Sequence, residues 1–422
     1  MRRPRALQII ATLFVLSIGL SCSSSPSCAS CDPGTESPTA EADAEHDGAE
    51  EAGDTGPTDE DWRNAFSAAE TSVHTASDGA LQASNDAFDA HIQTVMNPSE
   101  PLPEKVRQAL SQIEFDPNPQ SLTRDVHYWV SNENHHHLFQ PSIEDHGGIL
   151  LGVGTDQNYL LAAWARSPIL LLMDFDEEIR NVHHLYGINF AAAETPEEFI
   201  DRWAPSNTAD TKRRIAEQYD GDRQQSLERA HDLSRQVISA RLRRTARTYN
   251  NRDIPIFLTD QEQYDFIRDL WANGRVFPMR GDLTADTTMV DTAQTLESLG
   301  LNLGLYYPSN AEQYFDFTPE YRRNIIAQPF HEDSLVIRTR PMRVLGYPEG
   351  VDLDSNNNYN YNIQNANNFA QWLEQSTIPN SLVLLRDHHE KSETSGRSYI
   401  REEPPQADAD SRPEIADPVG DQ

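Results

Sequence analysis

Cysteine is nearly absent from this 422-residue chain: Cys22, Cys28 and Cys31 are the only three. Nothing beyond residue 31 can therefore form a disulfide, act as a thiolate nucleophile or hold zinc through sulfur. Lysine is almost as scarce, standing only at Lys105, Lys212 and Lys391, so the basic side chains are nearly all arginine. Positive charge as a whole is in deficit, 34 Lys and Arg against 67 Asp and Glu, and the net charge of −33 excludes nucleic acid as a partner because a polyanion would approach against repulsion. Local catalytic signatures are missing too. There is no G-x-S-x-G elbow, no phosphate loop ending in G-K-[ST] and no H-E-x-x-H helix. Apolar residues make up 37% and the mean hydropathy is −0.66, yet the length suffices to bury a core in one large or two to three ordinary domains.

The chain opens with Arg2, Arg3 and Arg5 ahead of an apolar run over 6–20. That run is short for a bilayer span and has the charge layout of an export signal, so residues 1–22 read as a leader. Its end, Gly19-Leu20-Ser21-Cys22, resembles the lipobox of bacterial lipoproteins, with Gly19 where an aliphatic residue is usual. The resemblance implies lipidation at Cys22 and a lipid-anchored place in the cell envelope. Cys28 and Cys31 either pair in an oxidising compartment or are incidental to an exposed tether. Residues 32–62 hold twelve acidic side chains and no Lys or Arg, so 23–62 read as a disordered acidic tether. Residues 401–422 repeat that character.

Between these ends, 63–120 read as a helical extension interrupted by Asn97-Pro98 and Pro101-Leu102-Pro103. A proline-free, Arg/Glu/Gln/Ala-rich stretch from about 208 to 248 predicts one or two helices inside an insertion spanning about 195–250. Apolar runs without alternation at 148–153, 169–173, 254–257, 276–279 and 303–307 predict strands buried on both faces, and helices are predicted over 159–165 and 289–299. Strand, turn, helix, strand, repeated, predicts an α/β fold with a doubly wound Rossmann sheet over 121–400. Such a sheet binds ligands beyond the carboxyl ends of its strands, which here carry Gly152, Asp174, Asp282 and Ser309-Asn310. Asp174 follows Gly152 by 22 residues, the spacing at which an acid accepts ribose hydroxyls. The third glycine of the dinucleotide fingerprint is absent, which disfavours a phosphate-cradling loop. A tight strand-to-helix turn without a ligand is the competing reading.

Ser131-Asn132-Glu133, Leu151-Gly152-Val153-Gly154 with Gln157-Asn158-Tyr159, Asp174, Gly281-Asp282, Ser309 to Tyr314 and Ile337-Arg338 together resemble an uncharacterised bacterial family. Its members share a GVGxxQNY block and an SNxEQY block. The resemblance implies a fold like that of class I S-adenosylmethionine-dependent methyltransferases. By that likeness Gly152 and Gly154 would flank the methionyl part of the cofactor, Asp174 the ribose and Asp282 the adenine, while Tyr307, Ser309 and Asn310 would orient a substrate. Asp176-Glu177-Glu178 stands where the family carries a basic stretch. S-adenosylmethionine is a cytosolic compound, so an exported protein with this fold is expected to bind another small molecule or an envelope protein without catalysis; the alternative is an enzyme that uses the crevice, S-adenosylmethionine-dependent methyl transfer included.

Histidine is clustered at His127, His135 to His137, His146, His183-His184 and His388-His389. Glu133 or Asp145 could complete a metal site there, but the spacing matches no zinc pattern, and a solvated loop is expected for His135 to His137. Asn356 to Asn362 is expected to be a polar surface turn, with calcium or sugar binding beside Asp352 and Asp354 as the alternative. No catalytic residue and no metal ligand is singled out.

Overall fold

The computed structural model describes Ala90 and residues 92–341, 343–347 and 358–405, all within the second of two units, 73–422. The leader with Cys22, the tether, most of the helical reading over 63–89, Asp352, Asp354 and the tail beyond 405 lie outside the described residues. Among the described residues, no helix is long and apolar enough to cross a membrane.

The architecture is α/β, a doubly wound, Rossmann-like arrangement around one sheet of eight strands. The strands are β1 (Ile149–Val153), β2 (Leu170–Asp174), β3 (Val276–Arg280), β4 (Leu303–Ser309), β5 (Phe330–Arg340), β6 (Asn360–Asn365), β7 (Glu390–Lys391) and β8 (Arg397–Ile400). Their spatial order is β3-β2-β1-β4-β5-β6-β8-β7. The first five are parallel, and β6 turns antiparallel to β5. Strand order reverses between β1 and β4, and that switch point opens the crevice in which such sheets bind ligands.

The reason for the fold is visible in the side chains. Along β2, Leu170 and Leu172 enter one core while Ile169, Leu171 and Met173 enter the other. A strand apolar on both faces must be covered on both. The first layer contains α2 (Gln157–Ala165), α3 (Glu177–Phe190), α4 (Thr208–Gln218), α5 (Gly221–Asn250) and α6 (Gln261–Ala272). The second contains α1 (Glu104–Ser111), α7 (Thr288–Ser298), α8 (Pro319–Ile326), α9 (Ala366–Gln375) and α10 (Ser381–His388). Buried Arg275, just before β3, donates to the carbonyls of Glu100 (2.8 Å) and Val95 (2.6 Å) and so fastens the amino-terminal extension to the sheet.

Two readings from the sequence are corrected. Ile254 to Phe257 is not a strand but an irregular link between α5 and α6. Pro255 has no N–H for a ladder, and its carbonyl instead accepts from Trp164 Nε1 at 3.1 Å. Of the surface turn expected over Asn356 to Asn362, residues 356 and 357 lie outside the described residues, and Asn360 to Asn362 instead open the buried strand β6. Its Tyr361 and Ile363 enter the first core, while Asn360 and Asn362 on the other face bond to Ser398 at 2.7 and 3.0 Å.

Backbone approach is tightest where the loop before β1 meets β4. A Cβ on Gly304 would lie 2.5 Å from the Gly147 carbonyl oxygen and 2.7 Å from Gly148 Cα. Backbone on both sides cannot yield cheaply. Gly304→Ala is expected to destabilise the fold by about 1–3 kcal/mol, read as a lower urea midpoint with an unchanged slope.

Candidate functional site

The turn after β1 is built from glycines that make room for the chain's own side chains. A Cβ on Gly152 would lie 2.0 Å from Asn158 Oδ1, and one on Gly154, whose φ is +94°, would lie 2.3 Å from Gln157 Nε2. Gln157 Nε2 donates to the Val153 carbonyl (3.2 Å), and its Oε1 accepts the Thr155 N–H (3.1 Å). The amide of Gln157 thus takes up an N–H that a phosphate would otherwise use. Below the turn, His183 Nε2 donates to the Gly154 carbonyl at 2.8 Å, so its Nδ1 accepts from Tyr159 Oη, also at 2.8 Å. Burial pushes the His183 imidazole down to about 4, which keeps it neutral in this role. Gln157, Asn158 and Tyr159 of the GVGxxQNY block all serve to shape this bend.

Over the carboxyl ends of the strands runs the segment 126–135, and a fully buried carboxylate holds it there. Glu133 Oε2 accepts from His136 Nε2 at 2.9 Å and from the Tyr307 hydroxyl. Its Oε1 accepts from Ser309 Oγ at 3.0 Å and from the Thr339 hydroxyl. Burial alone would raise this carboxyl, but the donated hydrogen bonds and the His136 charge outweigh it and hold it below its usual range. Ser309 reaches Glu133 from a left-handed backbone, φ +56°, which a non-glycine residue adopts only under constraint. A second buried carboxylate, Asp156, accepts from Arg241 Nε at 2.8 Å and from the Ser131 N–H at 3.0 Å. Arg241 also donates to the Glu133 carbonyl (2.9 Å) and Asn134 Oδ1 (2.7 Å), which ties the long helix α5 to the same segment. Asn310, Asn132 and Tyr359 complete the fastening with contacts of 2.8 to 3.1 Å.

Between this segment and the sheet lies a cleft of about 110 Å3 at the β1–β4 switch point. Gly154, Asp174, Asp176, Ser309 and Asn310 contribute to its wall, and Tyr128 and Tyr314 stand half-exposed at its rim. Among the described residues no Lys, Arg or His lines it, although His127 Nδ1 meets the wall carboxylate of Asp176 from outside at 2.7 Å. Asp174 keeps some contact with solvent, and its Oδ1 accepts the Asp176 N–H at 3.0 Å. Burial pushes the Asp174 carboxyl up to about 7; the N–H groups of Asp176 and Phe175 oppose this, and the Asp176 charge adds to it.

The structure therefore gathers Gly154, Asp174, Ser309 and Asn310 in one place and sets the others apart. Gly152 lies under Asn158 rather than on the cleft wall. Tyr307 is buried beneath the cleft against Glu133. Asp282 ends the neighbouring strand, but its carboxylate accepts from Thr284 N (2.8 Å) and Oγ1 (2.7 Å) in its own turn and does not line the cleft. That turn is filled by Asp116, which accepts the N–H groups of Asp282 and Thr287, each at 3.0 Å. The histidine run is not a solvated loop: His136 is fully buried against Glu133, and His135 and His137 are half-buried. Among the described residues no group of three His, Cys, Asp or Glu side chains is arranged to hold a metal ion. The residues missed as site builders are Asp156, Arg241, His136, Thr339 and Tyr359. Only the presence of Glu133 and Ser309 in two separate blocks of the same family resemblance hinted at their meeting.

Two outcomes follow from these charges. Glu133→Ala strands several buried donors and is expected to cost about 3–5 kcal/mol in chemical denaturation. Asp174 binds its proton at about 7 in the folded chain, against an ordinary value of 3.8, so its ionisation weighs on the fold above pH 7 and ceases to do so as the pH falls through that window. Asp174→Asn, which keeps the acceptor for Asp176, is expected to raise stability at pH 8 by about 1–2 kcal/mol, reduced from the full linkage by residual solvation. The difference from the parent should shrink to nothing near pH 4, measured as melting temperature against pH.

Among curated proteins no match to this chain is found. A family profile matches residues 128–401, which is the sheet together with the segment lying over its strand ends, and the chain belongs to that family, the domain of unknown function DUF7790.

Proposed function

We propose that this protein is a lipid-anchored envelope protein whose folded part binds a small, uncharged or cationic molecule in the switch-point cleft, without catalysis. The cleft itself carries this reading: it lies beyond the carboxyl ends of β1, β2 and β4, where open α/β sheets bind ligands. Its chemistry narrows the class. Asp174 and Asp176 are on the wall, where Asp176 is paired with His127 at 2.7 Å but no Lys or Arg is present among the described residues, and Gln157 consumes an N–H suited to a phosphate. Tyr128 and Tyr314 supply flat surfaces at the rim, and a volume of about 110 Å3 is well below the roughly 300 Å3 of ordinary ligand pockets, so a nucleoside-sized ligand would have to displace that rim. The likeness to class I methyltransferases makes S-adenosylmethionine the first compound to try. One observation favours an enzyme as the second reading: a carboxyl that titrates near 7 in a cleft is suited to proton transfer at neutral pH.

The purified protein would be melted with S-adenosylmethionine, S-adenosylhomocysteine, adenosine and ATP. A rise in melting temperature with an adenosine compound lacking phosphate, lost in Asp174→Ala, is the expected result. Equal shifts with ATP, or none with any compound, would overturn the reading. Release of S-adenosylhomocysteine from S-adenosylmethionine in the presence of envelope extract would replace it with the enzymatic one. The anchor rests on the Cys22 sequence context. Cys22→Ser is expected to move the protein from the membrane fraction to the soluble one and to abolish incorporation of labelled fatty acid.

A further inference from the structure

A second cavity, of about 600 Å3, lies between α3, α4 and α6, and its charge is opposite to that of the chain. Arg214 and Arg268 reach it from different helices, with Glu194 as its one acid. Neither arginine is fully neutralised. Arg214 uses only Nε, toward Asp210 at 3.0 Å, and that carboxylate is shared with Arg202 at 2.6 Å and with Arg213. Arg268 comes no closer than 3.7 Å to Asp265. Arg180 and Arg223, whose charges act on His184 of the wall, share Glu177 at 2.8 and 3.2 Å. In the cavity wall itself two arginines thus face one carboxylate, in a chain of net charge −33.

The rest of the wall is apolar or unspent. His184 Nδ1 is engaged with the Tyr219 hydroxyl at 3.1 Å, while its buried Nε2 has no hydrogen-bond partner among the described residues. Burial, with the charges of Arg223 and Arg180, pushes this imidazole well below its usual range, so it stays neutral. Phe190 and Trp271 add aromatic surface, and Gly187 gives Trp271 its place, since a Cβ there would lie 2.8 Å from the indole ring. The volume falls within the range of pockets that enclose small molecules.

We propose that this cavity is a binding site for a small organic anion with a flat apolar body, an aromatic carboxylate in class, whose charge is taken by Arg214 and Arg268. A guanidinium with free terminal nitrogens suits a carboxylate, and His184 Nε2 offers one further polar contact. The site is separate from the switch-point cleft and of opposite preference.

The test uses the full-length protein and para-bromobenzoate, with para-bromobenzamide as the uncharged counterpart. Calorimetry is expected to show the acid binding at least roughly tenfold more tightly than the amide, and weakening as salt rises. Soaked crystals should show the bromine signal in the cavity. R214Q combined with R268Q is expected to weaken binding by a similar factor with the melting temperature retained, and Asp174→Ala to leave it unchanged. Equal affinity for the amide, unchanged affinity in the double variant, a bromine signal elsewhere, or no binding at millimolar concentration would each overturn the proposal. Because Asp174 belongs to the other cleft, failure of one site is distinguishable from failure of the other.

Discussion

One buried carboxylate organises the business end of this molecule. Glu133 has no access to water, yet it is surrounded by donors from three directions: His136 beside it, Tyr307 and Ser309 on β4, and Thr339 on β5. An ion in such a place is tolerated only when its lone pairs are satisfied, so the strand ends and the segment above them are obliged to meet. The strained backbone of Ser309 is a consequence of that meeting. Asp156 and Arg241 repeat the device and carry it across to α5, so that three layers of the structure converge on a few charged atoms.

Those same bonds decide what the cleft can offer a ligand. An ionised carboxylate can only accept, so Ser309 must spend its hydrogen on Glu133, and Thr155 spends its own on Asp156 at 3.2 Å. Both hydroxyls therefore present lone pairs to the cleft rather than hydrogens. With Asp174 added, and Asp176 paired with His127 at 2.7 Å, the wall is rich in acceptors, and the Gln157 amide closes off the anion-binding capacity that a bend of this type commonly has. The geometry of a nucleotide-binding turn is retained while its usual chemistry is not. Fold and ligand are separable for this reason.

Across the first layer the arrangement inverts. Arginines share carboxylates at Asp210 and Glu177, and two arginines against one acid line a cavity larger than the cleft. An acidic chain can be basic locally because net charge says nothing of where charges lie.

The apolar runs at 148–153, 169–173 and 303–307 made the doubly wound sheet legible, because a strand apolar on both faces has to be covered on both, although the similar run at 254–257 forms no strand. Gly152, Asp174 and Ser309 were likewise legible as strand ends, since polar residues following such runs must leave the sheet at one edge. Tertiary structure alone decided the rest. Asn356 to Asn362 looks like a solvent turn, but Ser398 satisfies Asn360 and Asn362 from 36 or more residues away, and Asp282 looks like a ligand contact until Thr284 and Asp116 occupy its surroundings. Nothing local in His135 to His137 foretells that only the middle imidazole will be buried against Glu133. Hydrophobic period reports what an element must hide, whereas the partners of buried polar groups lie far along the chain, and only folding brings them within hydrogen-bond reach.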